Sequence, residues 1–246
     1  MHKKAIASTA AWALLAHLLT RGSLMVAAIV LARSLEPTSL ATYNYFQLTS
    51  TLIATYASMG LGATAVKLFA EARQGNDHSM RLAGLFTVSY LASLIGCAFV
   101  LVAPEAWLSA DLNVSKPMLA LCVGVMTLNI VPNGAVIGLE KYRHAVGVAA
   151  LSAVLAIGGA WLAARLESLS VAVGALVLSA LVQWVGQSYV VARSLGWRVM
   201  LGSVRALHEL AETLGFAGPM LLVSLMSSSA AWIIGRLILF GASGEY

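Results

Sequence analysis

Apolar residues dominate this chain in long unbroken stretches, not in short alternating ones. A run of about 20 apolar residues is long enough to cross the ~30 Å hydrocarbon core of a bilayer as a helix. Barrel strands would instead show alternating segments of about ten residues. We therefore predict an all-α integral membrane protein, a polytopic helical bundle. Its predicted spans are Ala10–Ala32, Asn44–Val66, Leu82–Ala103, Pro117–Leu139, Ala145–Ala164, Leu169–Ala192 and Phe216–Phe240.

The second predicted span carries a regular series of small and polar residues. They recur at steps of three or four, which places them on one helical face. The members of this series are Asn44, Gln47, Thr51, Thr55, Ser58 and Gly62. Lipid offers no hydrogen-bond partners, so we expect this face to point towards water or another helix.

Other spans contain smaller groups of the same kind. The amide pairs, each four residues apart, are Asn129 with Asn133 and Gln183 with Gln187. Hydrogen bonding between helices and lining of a cavity are both open interpretations of these pairs. The small residues of the third span are Ser89, Ser93 and Gly96. For them, close helix packing is the simpler interpretation.

Arg21 lies in the middle of the first predicted span. A cation at this depth costs from about 3 to more than 10 kcal/mol unless it meets water or a partner. His17 lies one turn earlier on the same face, and no Asp or Glu occurs well inside any predicted span. Arg21 is thus a candidate receptor for an anion such as phosphate. The alternative is that Arg21 extends to the membrane surface or to carbonyls at a helix end.

Composition excludes several other classes of protein. Hydrophobic residues make up 60% of the 246 residues and charged residues 10%, too few polar groups for a soluble or a disordered chain. The net charge of +5 is spread over the ends of the apolar runs, which does not suit nucleic acid. Cys97 and Cys122 are interpreted as packing residues. No catalytic constellation or metal-ligand spacing occurs, so we predict no enzyme activity and no cofactor.

The basic residues also predict the orientation of the chain. Ten of the 15 Lys and Arg residues fall on the side of the N-terminus. These are Lys3, Lys4, Lys67, Arg73, Arg81, Lys141, Arg143, Arg193, Arg198 and Arg205. Positive charge concentrates in cytoplasmic loops, so we predict a cytoplasmic N-terminus.

The longest connector runs from Arg193 to Gly215. Trp197, Met200 and Leu201 share one helical face within it, which favours an amphipathic helix on the cytoplasmic leaflet. An ordinary solvated connector is the alternative. The predicted organisation is a first transmembrane lobe of six helices over 1–192, an amphipathic linker over 193–215, and the first helix of a second lobe over 216–246.

Four short segments resemble a known family. They are Ile29 to Tyr43 at the exit of the first helix, Met59 to Glu71 at the exit of the second, Gly138 to Arg143 after the fourth, and Phe216 to Pro219 before the seventh. These segments resemble the polysaccharide transporter family, which includes O-antigen flippases. It is a branch of the multidrug/oligosaccharidyl-lipid/polysaccharide exporter superfamily.

This resemblance implies a function and a place in the cell. Members have about twice as many helices, so the chain is expected to be the N-terminal half, a fragment. It would export a lipid-linked oligosaccharide across the bacterial cytoplasmic (inner) membrane through a polar, cationic cavity between two lobes. Its partners would be that substrate, membrane lipid and other polysaccharide-assembly proteins, and not nucleic acid. The expected cavity-lining residues are Arg21, His17, Asn44, Gln47, Thr51, Thr55, Asn129, Asn133, Gln183 and Gln187.

The chain departs from the family pattern in places, and two other functions are considered. Glu36 and Ala41 stand where glycines are usual, and Gly235 stands where an acidic residue is common. The last difference leaves a coupling-ion site unassigned. One alternative function is a multidrug or other small-molecule secondary transporter of another superfamily. The second alternative is a membrane-embedded polysaccharide-assembly enzyme, which would be expected to cluster carboxylates or histidines at one membrane face.

Overall fold

The computed structural model describes residues 2–58, 60–74, 79–104, 108, 115–202, 226, 229–230 and 232–234, with the backbone alone for residues 2–8. Its regular elements are all helices within these ranges. In chain order they are α1 (His2–Ala32), α2 (Pro37–Ser58), α3 (Leu61–Arg73), α4 (Ser79–Val102), α5 (Lys116–Gly138), α6 (Tyr142–Leu166), α7 (Leu169–Leu195) and the short α8 (Trp197–Met200).

The described residues confirm the predicted all-α polytopic class. Five helices are long and apolar enough to cross a membrane: α1, α4, α5, α6 and α7. The pair α2 and α3 makes a sixth span if it is counted as one. Most of the predicted seventh span lies outside the described residues. The few described ones are helical and pack on α2, where the Trp232 indole donates a hydrogen bond of 3.2 Å to the Thr49 hydroxyl.

The second predicted span, Asn44–Val66, is divided between two helices with a bend between them. Helices α2 and α3 meet at an angle of 56°. Gly60 lies at this junction with a φ of 76°, in the left-handed region that glycine adopts without steric cost. Gly62 therefore belongs to α3 and does not continue the polar face of α2. A Cβ atom at Gly62 would lie 3.2 Å from the Ile130 side chain of α5, so this glycine serves helix packing.

Close contact between α3 and α5 depends on two glycines of α5. A Cβ atom at Gly134 would lie 2.7 Å from the carbonyl oxygen of Gly62. At Gly138 it would lie 2.5 Å from the carbonyl oxygen of Val66. Both neighbours are backbone atoms, which cannot rotate away as a side chain can. The four-residue spacing of Gly134 and Gly138 thus lets the two backbones approach, as small residues do in membrane helices.

The core divides into two clusters at opposite ends of the bundle. One cluster includes Ala27 and Leu31 of α1 together with residues of α2, α4, α5, α6 and α7. The other joins α3, α4, α5, α7 and α8, while no described side chain of α1 belongs to it and α6 contributes only the partly buried Ala145. Since α1 packs mainly on α6, these two helices stand apart from α2 and α5 at the second end. Within the part of the chain that the structure describes, the bundle is therefore closed at one end and open at the other.

The start of the predicted connector continues from α7. Gly196 ends α7 with a φ of 88°, and the short α8 follows. The Tyr90 hydroxyl of α4 donates a hydrogen bond of 2.7 Å to the carbonyl oxygen of Met200. Trp197 and Leu201 remain exposed, as an apolar face towards lipid would be. Residues 203–215 of the predicted amphipathic helix lie outside the described residues.

We expect Gly138→Ala to destabilise the bundle, because the new methyl group meets the α3 backbone. Overpacking of this kind costs about 1–3 kcal/mol. Gly158→Ala is the matched control, since nothing lies within 4 Å of a Cβ atom there. The free energy of unfolding of both variants can be measured with dodecyl sulfate in mixed micelles. Equal stability of the two variants would contradict the close α3–α5 contact.

Candidate functional site

A cavity of about 660 Å³ lies between α1, α2, α5, α6 and α7. Its walls bring together eight of the ten residues predicted to line a transport cavity. These are His17, Arg21, Thr51, Thr55, Asn129, Asn133, Gln183 and Gln187. The cavity belongs to the open end of the bundle, where α5 ends and α6 begins, since Ile137 and Tyr142 also line it.

Helix α1 supplies the cationic wall of the cavity. His17 and Arg21 are four residues apart, so they stack one turn above the other on the same face. Both side chains are exposed. Arg21 is the only Arg or Lys among the described lining residues, and no Asp or Glu lines the cavity there. The guanidinium group therefore has no counter-ion in the described part of this cavity.

Helix α2 supplies a wall of threonines. The Thr51 hydroxyl donates a hydrogen bond of 2.8 Å to the Gln47 carbonyl, and the Thr55 hydroxyl one of 2.7 Å to the Thr51 carbonyl. Each hydroxyl proton is thereby satisfied within the helix, while the oxygen can still accept a hydrogen bond. The face therefore stays polar without a neighbouring helix.

Two predicted residues do not reach the cavity. Asn44 and Gln47 lie on the first half of α2, towards the closed end of the bundle, and neither is among the lining residues. Periodicity had grouped them with Thr51 and Thr55, because it reports the face of a helix and not the depth along it. Asn44 is exposed and Gln47 half-buried.

The amides of α5 and α7 form the wall opposite the opening. The Gln187 side-chain nitrogen donates a hydrogen bond of 3.3 Å to the Asn133 side-chain oxygen. The side-chain oxygens of Asn129 and Gln187 are buried and accept no hydrogen bond from the described residues. Both interpretations of the amide pairs are therefore realised together, since one contact joins two helices and all four amides line the cavity.

Sequence reasoning missed two polar lining residues. Tyr142 and Thr20 also line the cavity. Tyr142 is the first residue of α6, although its position in a short basic turn had suggested a loop residue. Thr20 lies one position before Arg21, but its hydroxyl donates to the Ala16 carbonyl at 2.9 Å. A search for hydroxyls beside Arg21 would have found it.

The serine face of α4 has a different role. Ser89 and Ser93 are buried, and the Ser93 hydroxyl donates a hydrogen bond of 3.0 Å to the Gly124 carbonyl of α5. A Cβ atom at Gly96 would lie 3.2 Å from the Val123 side chain. These contacts match the close helix packing predicted for this face.

The described helices define a class, an all-α polytopic membrane protein. The chain belongs to the family of polysaccharide biosynthesis proteins, whose model matches residues 6–245. No curated protein and no solved structure matches the chain. The predicted recognition of a polysaccharide transporter family is thereby confirmed.

Family membership narrows the function. It points to the export of polysaccharide precursors in general, and members are typically transporters and not enzymes. It also argues against a transporter of another superfamily, because such a chain would not match this family over 6–245. Polysaccharide precursors and membrane lipid are the corresponding general partners.

We expect the contact between Asn133 and Gln187 to be measurable as a coupling energy. Single and double alanine variants at these positions form a double-mutant cycle. Hydrogen bonds between membrane helices average about 0.6 kcal/mol and reach about 1.7 kcal/mol. The control cycle pairs Asn133→Ala with Gln183→Ala, because no hydrogen bond joins those side chains. Unfolding in mixed micelles gives both values, and zero coupling in the first cycle would contradict the contact.

Proposed function

We propose that this protein moves a lipid-linked oligosaccharide across the bacterial cytoplasmic membrane. Its N-terminus would be cytoplasmic, and the diphosphate and sugars of the substrate would enter the cavity of α1, α2, α5, α6 and α7. Family membership supports the general class of substrate. The observation that carries the proposal is a cavity at membrane depth with one guanidinium group and four amides on its walls.

Arg21 is the proposed contact for the diphosphate. A guanidinium group donates two parallel hydrogen bonds to phosphate oxygens, and such charge-assisted bonds are stronger than neutral ones. No carboxylate competes for Arg21 or repels the anion among the described lining residues. His17, one turn away, would add a second donor. An anion thus offsets the cost of holding this cation within the membrane.

The amide wall is suited to sugar hydroxyls. Amides offer both donors and acceptors, as hydroxyl groups do. The Asn129 and Gln187 oxygens are buried acceptors without a donor among the described residues. An unpaired buried acceptor carries a cost of about 1–3 kcal/mol, which a sugar hydroxyl or a water molecule removes. Carbohydrate would therefore take the place of water here at little cost.

The size and shape of the cavity suit the head of the substrate and not its lipid tail. Its 660 Å³ falls within the range of roughly 300–1,000 Å³ typical of small-molecule sites. His17 and Arg21 are exposed on α1, and we take this side as the opening of the cavity. The lipid tail would remain in the bilayer while the polar head occupies the cavity.

The open end also suggests the step that this conformation represents. The N-terminal half of α1, the end of α5 and the start of α6 border the cavity. The positive-inside distribution predicts that this end faces the cytoplasm, so the cavity would accept substrate from the side of synthesis. We infer that residues 1–192 act as one lobe and that a second lobe, joined through the linker 193–215, faces the cavity in alternating access.

Replacement of Arg21 tests the proposal. We expect Arg21→Ala in the native host to lower surface polysaccharide about tenfold or more, since a lost hydrogen bond to a charged group costs about 1.5–3 kcal/mol. Arg21→Lys should retain part of the activity, because it keeps the charge but loses the bidentate geometry. Quantitative blotting of the polysaccharide measures the effect.

Arg33→Ala is the matched control for this experiment. Arg33 is exposed just beyond the other end of α1 and does not line the cavity. Its replacement should leave surface polysaccharide unchanged at equal protein level in the membrane. Normal polysaccharide with Arg21→Ala would remove Arg21 from the proposed role.

A further inference from the structure

A second cavity, of about 1,020 Å³, lies where α6 begins and α7 ends. We call it the basic groove because its lining contains five basic side chains and, within the described residues, no carboxylate. These side chains are Arg73, Lys141, Arg143, His144 and Arg193. The groove shares no lining residue with the transport cavity.

Two of these cations are already engaged. Arg73 forms an ion pair with Glu140, so this pair adds no net charge to the groove. The Arg143 guanidinium lies 5.6 Å from the centre of the Trp12 ring, in a cation–π contact that leaves its N–H groups free to donate. Lys141 and Arg193 form no ion pair with the described residues. The groove therefore carries uncompensated positive charge from Lys141, Arg143 and Arg193.

Below the cations, the groove is apolar and reaches the outer surface of the bundle. Val148, Leu151 and Val190 form its walls. Leu151 is 56% exposed and Tyr189 53% exposed, so the apolar part of the groove lies at the surface of the described bundle. Gly186 lets α6 and α7 pack tightly, since a Cβ atom there would lie 2.7 Å from the Val148 side chain. The groove thus joins a cationic end to a lipid-facing apolar channel.

We propose that the basic groove binds an anionic phospholipid. Its headgroup phosphate would accept hydrogen bonds from Lys141, Arg143 and Arg193, and one acyl chain would lie against Val148 and Leu151. Basic pockets between helices at a membrane face bind anionic headgroups in this way. A soluble anion would use the cations but leave the apolar walls in contact with other lipids. This inference does not depend on the proposed transport function, because the two cavities share no residue.

The groove and the transport cavity lie on different faces of the α6–α7 pair. Ala145, Ala149 and Gln187 line the transport cavity, whereas Val148 and Tyr189 line the groove. A lipid bound in the groove would therefore support α6 and α7 from outside while leaving the transport cavity accessible.

Lipid titration of the purified full chain tests the proposal. Native mass spectrometry would compare phosphatidylglycerol with phosphatidylethanolamine of identical acyl chains, since the two differ in headgroup charge. Each cation near a membrane surface contributes about 1 kcal/mol to anionic-lipid binding, so the double variant K141Q/R193Q should bind phosphatidylglycerol about 30-fold more weakly. Its affinity for phosphatidylethanolamine should not change. The single variant Arg193→Gln should bind phosphatidylglycerol about fivefold more weakly. It provides the test if the double variant does not fold.

The double variant R33Q/R198Q is the control with equal loss of charge. Both arginines are exposed and neither lines the groove, so we expect phosphatidylglycerol binding at the level of the unmodified chain. An equal loss in the two double variants would show a general charge effect and overturn the proposal. Equal affinities of the unmodified chain for phosphatidylglycerol and phosphatidylethanolamine would also overturn the proposal. Displacement of phosphatidylglycerol by millimolar inorganic phosphate would assign the groove to a soluble anion instead.

Discussion

A polar side chain at membrane depth must find water or a hydrogen-bond partner, and this requirement organises the described bundle. The threonines of α2 donate to carbonyls of their own helix. The amides of α5 and α7 meet each other across the helix interface. Arg21 cannot be satisfied within its own helix, because its five N–H donors exceed what one helix backbone can accept. The structure also shows no partner for it on another described helix. Its guanidinium group therefore depends on the opening between α1 and α2.

That opening follows from the way α1 is held. Ala27 and Leu31 anchor the second half of α1 in a core cluster that includes five other helices. No described residue of the half that carries His17 and Arg21 belongs to the opposite cluster, and α1 packs mainly on α6. One helix thus closes the bundle at one end and opens it at the other. Such an arrangement would suit the alternating access that we propose for this protein.

Much of this architecture could be predicted from the sequence, because apolar length and helical periodicity are strong signals in membrane proteins. Five of the seven predicted spans correspond to single described helices, and eight of the ten proposed lining residues border the described cavity. The bend at Gly60 was not predicted, because the length of an apolar run does not indicate whether the helix axis changes direction within it. Asn44 and Gln47 do not line the described cavity, because a shared helical face does not specify depth along the helix. The basic groove was missed as well, since Lys141 and Arg193 are 52 residues apart in the sequence and meet only through the packing of α6 on α7.

Water contact of the α2 threonines tests the central claim most directly. Cysteine would replace Thr55 in a chain whose native Cys97 and Cys122 are replaced by alanine, and a charged methanethiosulfonate reagent would be applied to the protein in nanodiscs. The reaction needs a thiolate, which forms in water and not in hydrocarbon. Leu94, exposed on the outer surface of α4, provides the comparison position. The account predicts rapid labelling of Thr55→Cys and negligible labelling of Leu94→Cys, and equally slow labelling of both would contradict a water-filled cavity.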